Sequence, residues 1–330
     1  MKKAAFTLVE MLISMTIMTI IIVMISPMMD LSFTGIVTYE VHNSLKQANQ
    51  TAINYLGHEL TESYRLFQRG AAADAYLARL DLADQPPPLA GADSRLPVIQ
   101  ASVAAMPGVP GAVGNCLLFA TRRAPVSVAG GAVTLDTYRF NFYYIGQVSA
   151  LPLGNRPHRN LYEWHSIDFV DYNMLSGIAD PLIRTDALIE LFNLGYRFAW
   201  DPIQDADEAF YNIDVIAGVP VFPLPEVDDA THRILKASGG EAIKIHTKGV
   251  ISNFRHGIAH NTNNTDFILK HPVPLYATAN GDFPSGFEAI IVGMSSKRLI
   301  NIRMVAVAQG AFKGYKSNQQ VLQATAKDSW

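Results

Sequence analysis

From Phe6 to Met29 the chain is apolar except for a few hydroxyl side chains and one acid, Glu10. About 24 residues at 1.5 Å per residue make roughly 36 Å of helix, enough to cross a hydrocarbon core of about 30 Å with some tilt. A segment that sits in lipid must satisfy its backbone hydrogen bonds internally, so this run is a helix and the rest of the chain folds outside it. Lys2 and Lys3 precede the run and no further lysine or arginine follows until Lys46. That asymmetry puts the N-terminus in the cytoplasm and the C-terminal part across the membrane. A secretory signal peptide fits less well. The apolar stretch is longer than a usual h-region, and Ser26-Pro27-Met28-Met29-Asp30 is a poor small-x-small cleavage site.

Glu10 separates this segment from a plain signal anchor. An ionised side chain in a bilayer costs roughly 2.5 to 3.5 kcal/mol even on the lenient insertion scale, so an intramembrane acid generally has a partner and a task. A free α-amino group is a natural partner, and a cut between Ala5 and Phe6 would supply one. The stretch Ala5-Phe-Thr-Leu-Val-Glu10 followed by the apolar run resembles the prepilin leader of type IV pilins and type II secretion pseudopilins. The resemblance implies cleavage after Ala5 by a membrane aspartyl prepilin peptidase and N-methylation of Phe6. It also implies pairing of Glu10 with the Phe6 amine of a neighbouring subunit during assembly. Ala5 departs from the family's usual glycine before the cut, and slower processing is the expected consequence. The implied partners are the peptidase and methyltransferase, other pilins or pseudopilins and the inner-membrane assembly platform. The implied location is a single-pass inner membrane anchor, then a pilus or pseudopilus.

Pro27 lies inside the apolar run, where many type IV pilins also carry a proline. Proline removes one helical hydrogen bond, and Gly35 weakens the helix again within two turns. Ser26 to Gly35 is therefore the expected place for local unwinding within a filament. Beyond it, Leu45, Ala48, Ala52, Leu56, Leu60, Tyr64 and Phe67 recur at steps of three and four. Lys46, Gln50, Asn54, His58, Glu62 and Arg65 fall on another face. The reading is a leader (1–5), a membrane helix (6–29) and an amphipathic continuation (30–69). The stretch Gln50 to Arg65 also loosely resembles the corresponding helix of PilW-type minor pilins and J-type pseudopilins.

Residues 70–114 crowd Ala, Gly and Pro into a long excursion, with a short helix expected over Ala75 to Leu82. From 115 to 330 the pattern turns to strands: Cys116–Thr121, Pro125–Val128, Ala132–Leu135, Thr137–Ile145 and Leu161–Phe169, with Gly130-Gly131 as a hairpin turn. Asp180 to Leu194 reads as a helix with Pro181 in its first turn. Later strands are expected over Ala242–Thr247, Gly249–Phe254, Ala289–Met294 and Leu299–Ala308. The expected class is α+β, a long helical spine packed on a mainly antiparallel sheet.

With Lys and Arg at 26 against Asp and Glu at 29, the chain has no basic footprint for nucleic acid. Cys116 is the single cysteine, so no intrachain disulfide forms, unlike the closed C-terminal loop of many major pilins. It sits in a strand-like run and reads as a buried small hydrophobe. The sequence holds no Gly-x-Ser-x-Gly elbow, His-Glu-x-x-His, P-loop or dinucleotide fingerprint, so an enzyme is not expected. His256 and His260 would share a face on a helix, but Gly257 and the following Asn/Thr run point to a turn. Asp201, Asp205, Asp207 and Glu208 form a small acidic cluster in a Pro-containing loop, a weak Ca²⁺ candidate without EF-hand spacing. No other cofactor is implied. Tyr138, Phe140, Phe142, Tyr143, Tyr144, Tyr162, Trp164 and Phe169 read mainly as sheet core, with a ligand-stacking face as the alternative. Trp330 ends the chain on what reads as a frayed tail.

The functional expectation is a non-enzymatic minor pilin or pseudopilin, at a filament tip or as an assembly initiator. The alternatives are an adhesive or ligand-binding tip subunit and a membrane-anchored extracytoplasmic domain unrelated to filaments.

Overall fold

Thr7 starts the spine. In a computed structural model that describes residues 7–78, 80–82, 95–101, 113–146, 158–204, 209–216, 219–225, 235–236, 243–244, 256–259, 286–294, 297–309 and 315–327, α1 spans Leu8–Thr61, 54 residues and about 80 Å. Pro27 lies inside α1 without ending it, and the helix runs on through Gly35. In the single chain, then, Ser26 to Gly35 is helical, because the hydrogen bonds on either side of one missing donor carry the rod through.

The helix has two halves with different surroundings. From Leu8 to Ile36 its large apolar side chains are exposed. From Val41 onward, Val41, Leu45, Ala48, Asn49, Ala52, Ile53, Leu56 and Leu60 form one buried stripe. The helix stops at Thr61 and does not reach Arg69, which corrects the expected 30–69 continuation. The Glu62 carbonyl accepts the Arg122 N–H at 3.2 Å, and the chain straightens into β1 (Ser63–Leu66). Tyr64 and Phe67, expected on the helical stripe, lie in and just after this strand.

The excursion contains α2 (Ala71–Ala78), β2 (Leu80–Asp81) and β3 (Ile99–Gln100). The short helix therefore begins before Ala75 and ends before Leu82. Next come β4 (Leu117–Val128) and β5 (Val133–Gly146), two long strands where the sequence suggested four short ones. A register shift between Arg123 and Val126 absorbs the break at Pro125. Their hairpin turn places Ala129, Gly130 and Gly131 at positive φ of 55°, 63° and 89°, a conformation that the two glycines adopt without steric cost. After it follow β6 (His158–His165), β7 (Phe169–Asp171), α3 (Tyr172–Ser176) and α4 (Pro181–Asn193). The expected Leu161–Phe169 strand is thus split in two. α4 begins as expected, with the Asp180 carboxylate accepting the Leu182 N–H at 2.8 Å and Pro181 in the first turn.

The remaining elements are β8 (Phe198–Trp200), β9 (Phe210–Ile216), β10 (Val219–Pro225), β11 (Leu235–Lys236), β12 (Ile243–Lys244), β13 (His256–Ala259), β14 (Phe287–Val292), β15 (Arg298–Gln309) and β16 (Tyr315–Ala326). The strand expected over Gly249–Phe254 lies outside the described residues. β4, β5 and β6 pair in antiparallel order, β13 joins β6 to β15, and β15 pairs β14 and β13 on one side and β16 on the other. A few pairings are parallel, among them β7 with β8 and β14 with β3. The architecture is α+β, with mostly antiparallel sheet.

Strands from both halves of the sheet wrap the second half of α1. Ala52, Ile53, Leu56 and Leu60 share one core with Phe119, Tyr143, Leu161, Phe287, Ile302 and Ala324. On the opposite face of β5, Phe140, Phe142 and Tyr144 pack with Tyr76, Trp164 and Trp200. Because β5 is covered on both faces, its sequence alternates only in part. A third core packs Leu188 and Leu191 of α4 on Val170, Ala199 and Ile213.

Candidate functional site

The site expected from the sequence is the exposed first half of α1. Its N-terminus is closed by a capping box. The Thr7 hydroxyl accepts the Glu10 N–H at 3.3 Å, and the Glu10 carboxylate accepts the Thr7 N–H at 2.9 Å. The Thr7 hydroxyl also lies 2.9 Å from the same carboxylate oxygen, Oε2. Further along, the hydroxyls of Ser14, Thr16 and Thr19 each donate at 2.8 Å to the carbonyl four residues back. These groups spend their polarity on their own helix. Glu10 remains the one charge between Leu8 and Met29, on a rod whose apolar side chains meet no other part of the described chain. The helix is long and apolar enough to cross a membrane.

Residues 1–26 match the prokaryotic N-terminal methylation motif. The match covers the leader, the start of the apolar helix and Glu10, and supports a type IV pilin-like prepilin N-terminus. It implies processing by prepilin peptidase and assembly in a membrane system, and it agrees with inner-membrane anchoring through α1. Proteins carrying this motif are in general not enzymes. Comparison with curated proteins and with solved structures returned no match. Ala5 and Phe6 lie outside the described residues.

Elsewhere the structure separates the sequence candidates. Asp201 is buried, and its Oδ1 accepts the Asn173 side-chain N–H at 2.8 Å and the Ile203 N–H at 2.9 Å. It ties α3 to the loop after β8. Asp205, Asp207 and Glu208 lie outside the described residues, and among those described no group of three His, Cys, Asp or Glu converges on a metal position. His256 begins β13, so the helix that would have paired it with His260 is not formed; His260 lies outside the described residues. All eight aromatic side chains from Tyr138 to Phe169 named above are buried. This corrects the ligand-stacking alternative: an adhesive reading loses that surface. Cys116 is buried as expected. Trp330 lies outside the described residues.

Sequence reasoning missed three polar anchors. Glu163 is 2% exposed between Tyr162 and Trp164 of β6, and its Oε1 accepts hydroxyl hydrogens from Tyr143 at 2.8 Å and from Tyr55 of α1 at 3.0 Å. Burial and this carboxylate push the Tyr143 hydroxyl well above its usual range. Arg65, expected on the polar face of the helix, is buried in β1 and donates to the Pro202 carbonyl at 2.9 Å and the Tyr76 hydroxyl at 3.1 Å. Asn49, fully buried on α1, donates to the Asn318 carbonyl at 3.1 Å. The sequence does mark Glu163, since an acid between Tyr162 and Trp164 on a strand needs a buried donor.

Proposed function

We propose that this chain is a minor pilin or pseudopilin, a non-enzymatic subunit cut between Ala5 and Phe6 and methylated at Phe6. Its bare apolar helix then packs into the core of a type IV pilus or type II secretion pseudopilus, with the β domain outside. Glu10 pairs with the Phe6 amine of a neighbouring subunit and sets the axial register of the helices. The observation that carries this reading is the methylation-motif match on a helix that is exposed and apolar from Leu8 to Met29 and holds Glu10 as the lone charge of that stretch. A helix of that kind is covered either by lipid or by other helices. The size of the C-terminal domain favours a minor or tip position, because a subunit of 330 residues repeated along a thin filament crowds its neighbours.

Intact mass and N-terminal sequencing of the protein from membranes or sheared fibres test the reading first. The expected result is a mature start at Phe6 carrying one methyl group. An uncut Met1, or a cut near Ser26, would sink it. Replacing Glu10 by Ala should leave membrane insertion intact while reducing filament incorporation severalfold.

A further inference from the structure

The sheet treats its two long edges differently. At one end β10 carries prolines at 220, 223 and 225, and its pairing with β9 shifts register between Val221 and Leu224. Missing donors and a bulge are ordinary protection against a stray strand. At the other end β16 pairs with β15 in unbroken register from Tyr315 to Ala326. It contains no proline, and no charge lies between Lys316 and Lys327. Among the described residues its only strand partner is β15.

The ladder fixes which groups of β16 face outward. Val305 gives its N–H to Gly286 on the β14 side, so opposite β16 the Val305–Gln319 pair is of the non-hydrogen-bonded kind. Alternation along an antiparallel pair then turns the N–H and C=O of Asn318, Gln320, Leu322 and Ala324 toward β15. Those of Gln319, Val321, Gln323 and Thr325 turn to the open edge. Two independent contacts agree. Asn49 reaches both Asn318 and Met304 carbonyls in the seam between β15 and β16, and Ser63 donates to the outward Lys327 carbonyl at 3.1 Å. The side chains of the four outward residues are exposed.

We propose that this edge of β16 is a docking site for an extended strand of a different polypeptide. Among the described residues this row of main-chain donors and acceptors has no strand partner, and such a row fits an extended strand. The uncharged middle and the exposed Lys327 suit a neutral segment with an acidic end. A second copy is the wrong occupant. α1 and β16 run in the same direction, since Asn49 meets Asn318, Gly57 meets Leu322 and Ser63 meets Lys327. Antiparallel pairing of two β16 strands would aim the two membrane helices in opposite directions, and parallel pairing about a two-fold axis would set the exposed Lys327 of each copy beside the other.

Residue-resolved amide exchange on the full chain in detergent tests this, with a synthetic peptide of alternating threonine and valine ending in glutamate as the probe. The expected result is fast exchange at Gln319, Val321, Gln323 and Thr325 alone, slowed by the peptide, with Gln320, Leu322 and Ala324 already slow. Val321→Pro removes one outward donor and should weaken the peptide about tenfold while leaving the inward amides protected. Slow exchange at the four outward amides without peptide, no response to the peptide, or a concentration-dependent dimer that Val321→Pro abolishes would each overturn the proposal. None of these results depends on where the leader is cut, so the proposal and the pilin reading fail separately.

Discussion

Gly57 of α1 lies so close to Leu322 of β16 that a Cβ at position 57 would stand 3.3 Å from a Leu322 methyl. The missing side chain lets the spine helix settle onto the strand, and the neighbouring Leu56 and Leu60 are buried as a result.

Substitution at this glycine separates two effects. Gly57→Ala gains about 1 kcal/mol of helix propensity but tightens a contact that the flexible end of Leu322 can relieve, so urea unfolding should shift little. Gly57→Val adds bulk that Leu322 cannot clear and should destabilise by about 1 to 3 kcal/mol. An unchanged Gly57→Val midpoint would mean that α1 does not sit this close to β16.

Glu163 has two tyrosine donors on one carboxylate oxygen, one from the sheet and one from the spine. Tyr143→Phe deletes the fully buried donor, and a hydrogen bond to a charged group contributes about 1.5 to 3 kcal/mol. Chemical denaturation of the full chain should show a loss of that size. Tyr55→Phe should cost less, because that hydroxyl is only part-buried.

His165 gives the domain a pH dependence. Burial, with the nearby Arg139 guanidinium, holds its pKa below the ordinary histidine value of 6.5, while Asp168 opposes the shift. The folded state therefore binds a proton less readily than the unfolded chain. Its contribution to stability is complete above about 6.5 and is lost as pH falls through the depressed value. Unfolding midpoints should decline as pH falls below about 6.5, and His165→Gln should flatten that part of the profile.

The position before the cut offers a kinetic test. Ala5 stands where leaders of this kind usually carry glycine, so Ala5→Gly should speed cleavage in a pulse-chase experiment. A bulky residue such as Leu at position 5 should block it. Equal rates for all three would argue against cleavage at Ala5.

What the sequence revealed follows from how local each cause is. The membrane-length helix, the Asp180 cap, the Gly130-Gly131 turn and the buried stripe from Leu45 to Leu60 all depend on near neighbours along the chain. Three features depend on distant partners. Tyr64 and Arg65 continue a helical pattern, but β4 pairs with Ser63, Arg65 and Leu66 around them and overrides it. β5 loses its alternation because α1 covers one face and the Tyr76 cluster the other. No strand is expected over β16, since Gln319, Gln323 and Thr325 break an apolar pattern and only Leu322, Ala324 and Ala326 mark its inner face. At the N-terminus the fold adds little to what the residues already say, because the environment that defines Glu10 lies outside the chain.

Ser26 to Gly35 is helical in the single chain but expected to unwind in a filament. Gly35 has no atom within 4 Å of where a Cβ would stand, so Gly35→Ala adds about 1 kcal/mol of helix propensity without a clash. Pro27→Ala restores the missing hydrogen bond in the same stretch. If subunits must melt Ser26 to Gly35 to fit a filament lattice, both changes raise the cost of assembly while leaving the isolated protein as stable or more so. The expected outcome is slower amide exchange around Gly35 in detergent together with reduced recovery in sheared fibres, the double variant being worst. Full recovery of the double variant would mean that this segment assembles as the straight helix seen in the single chain.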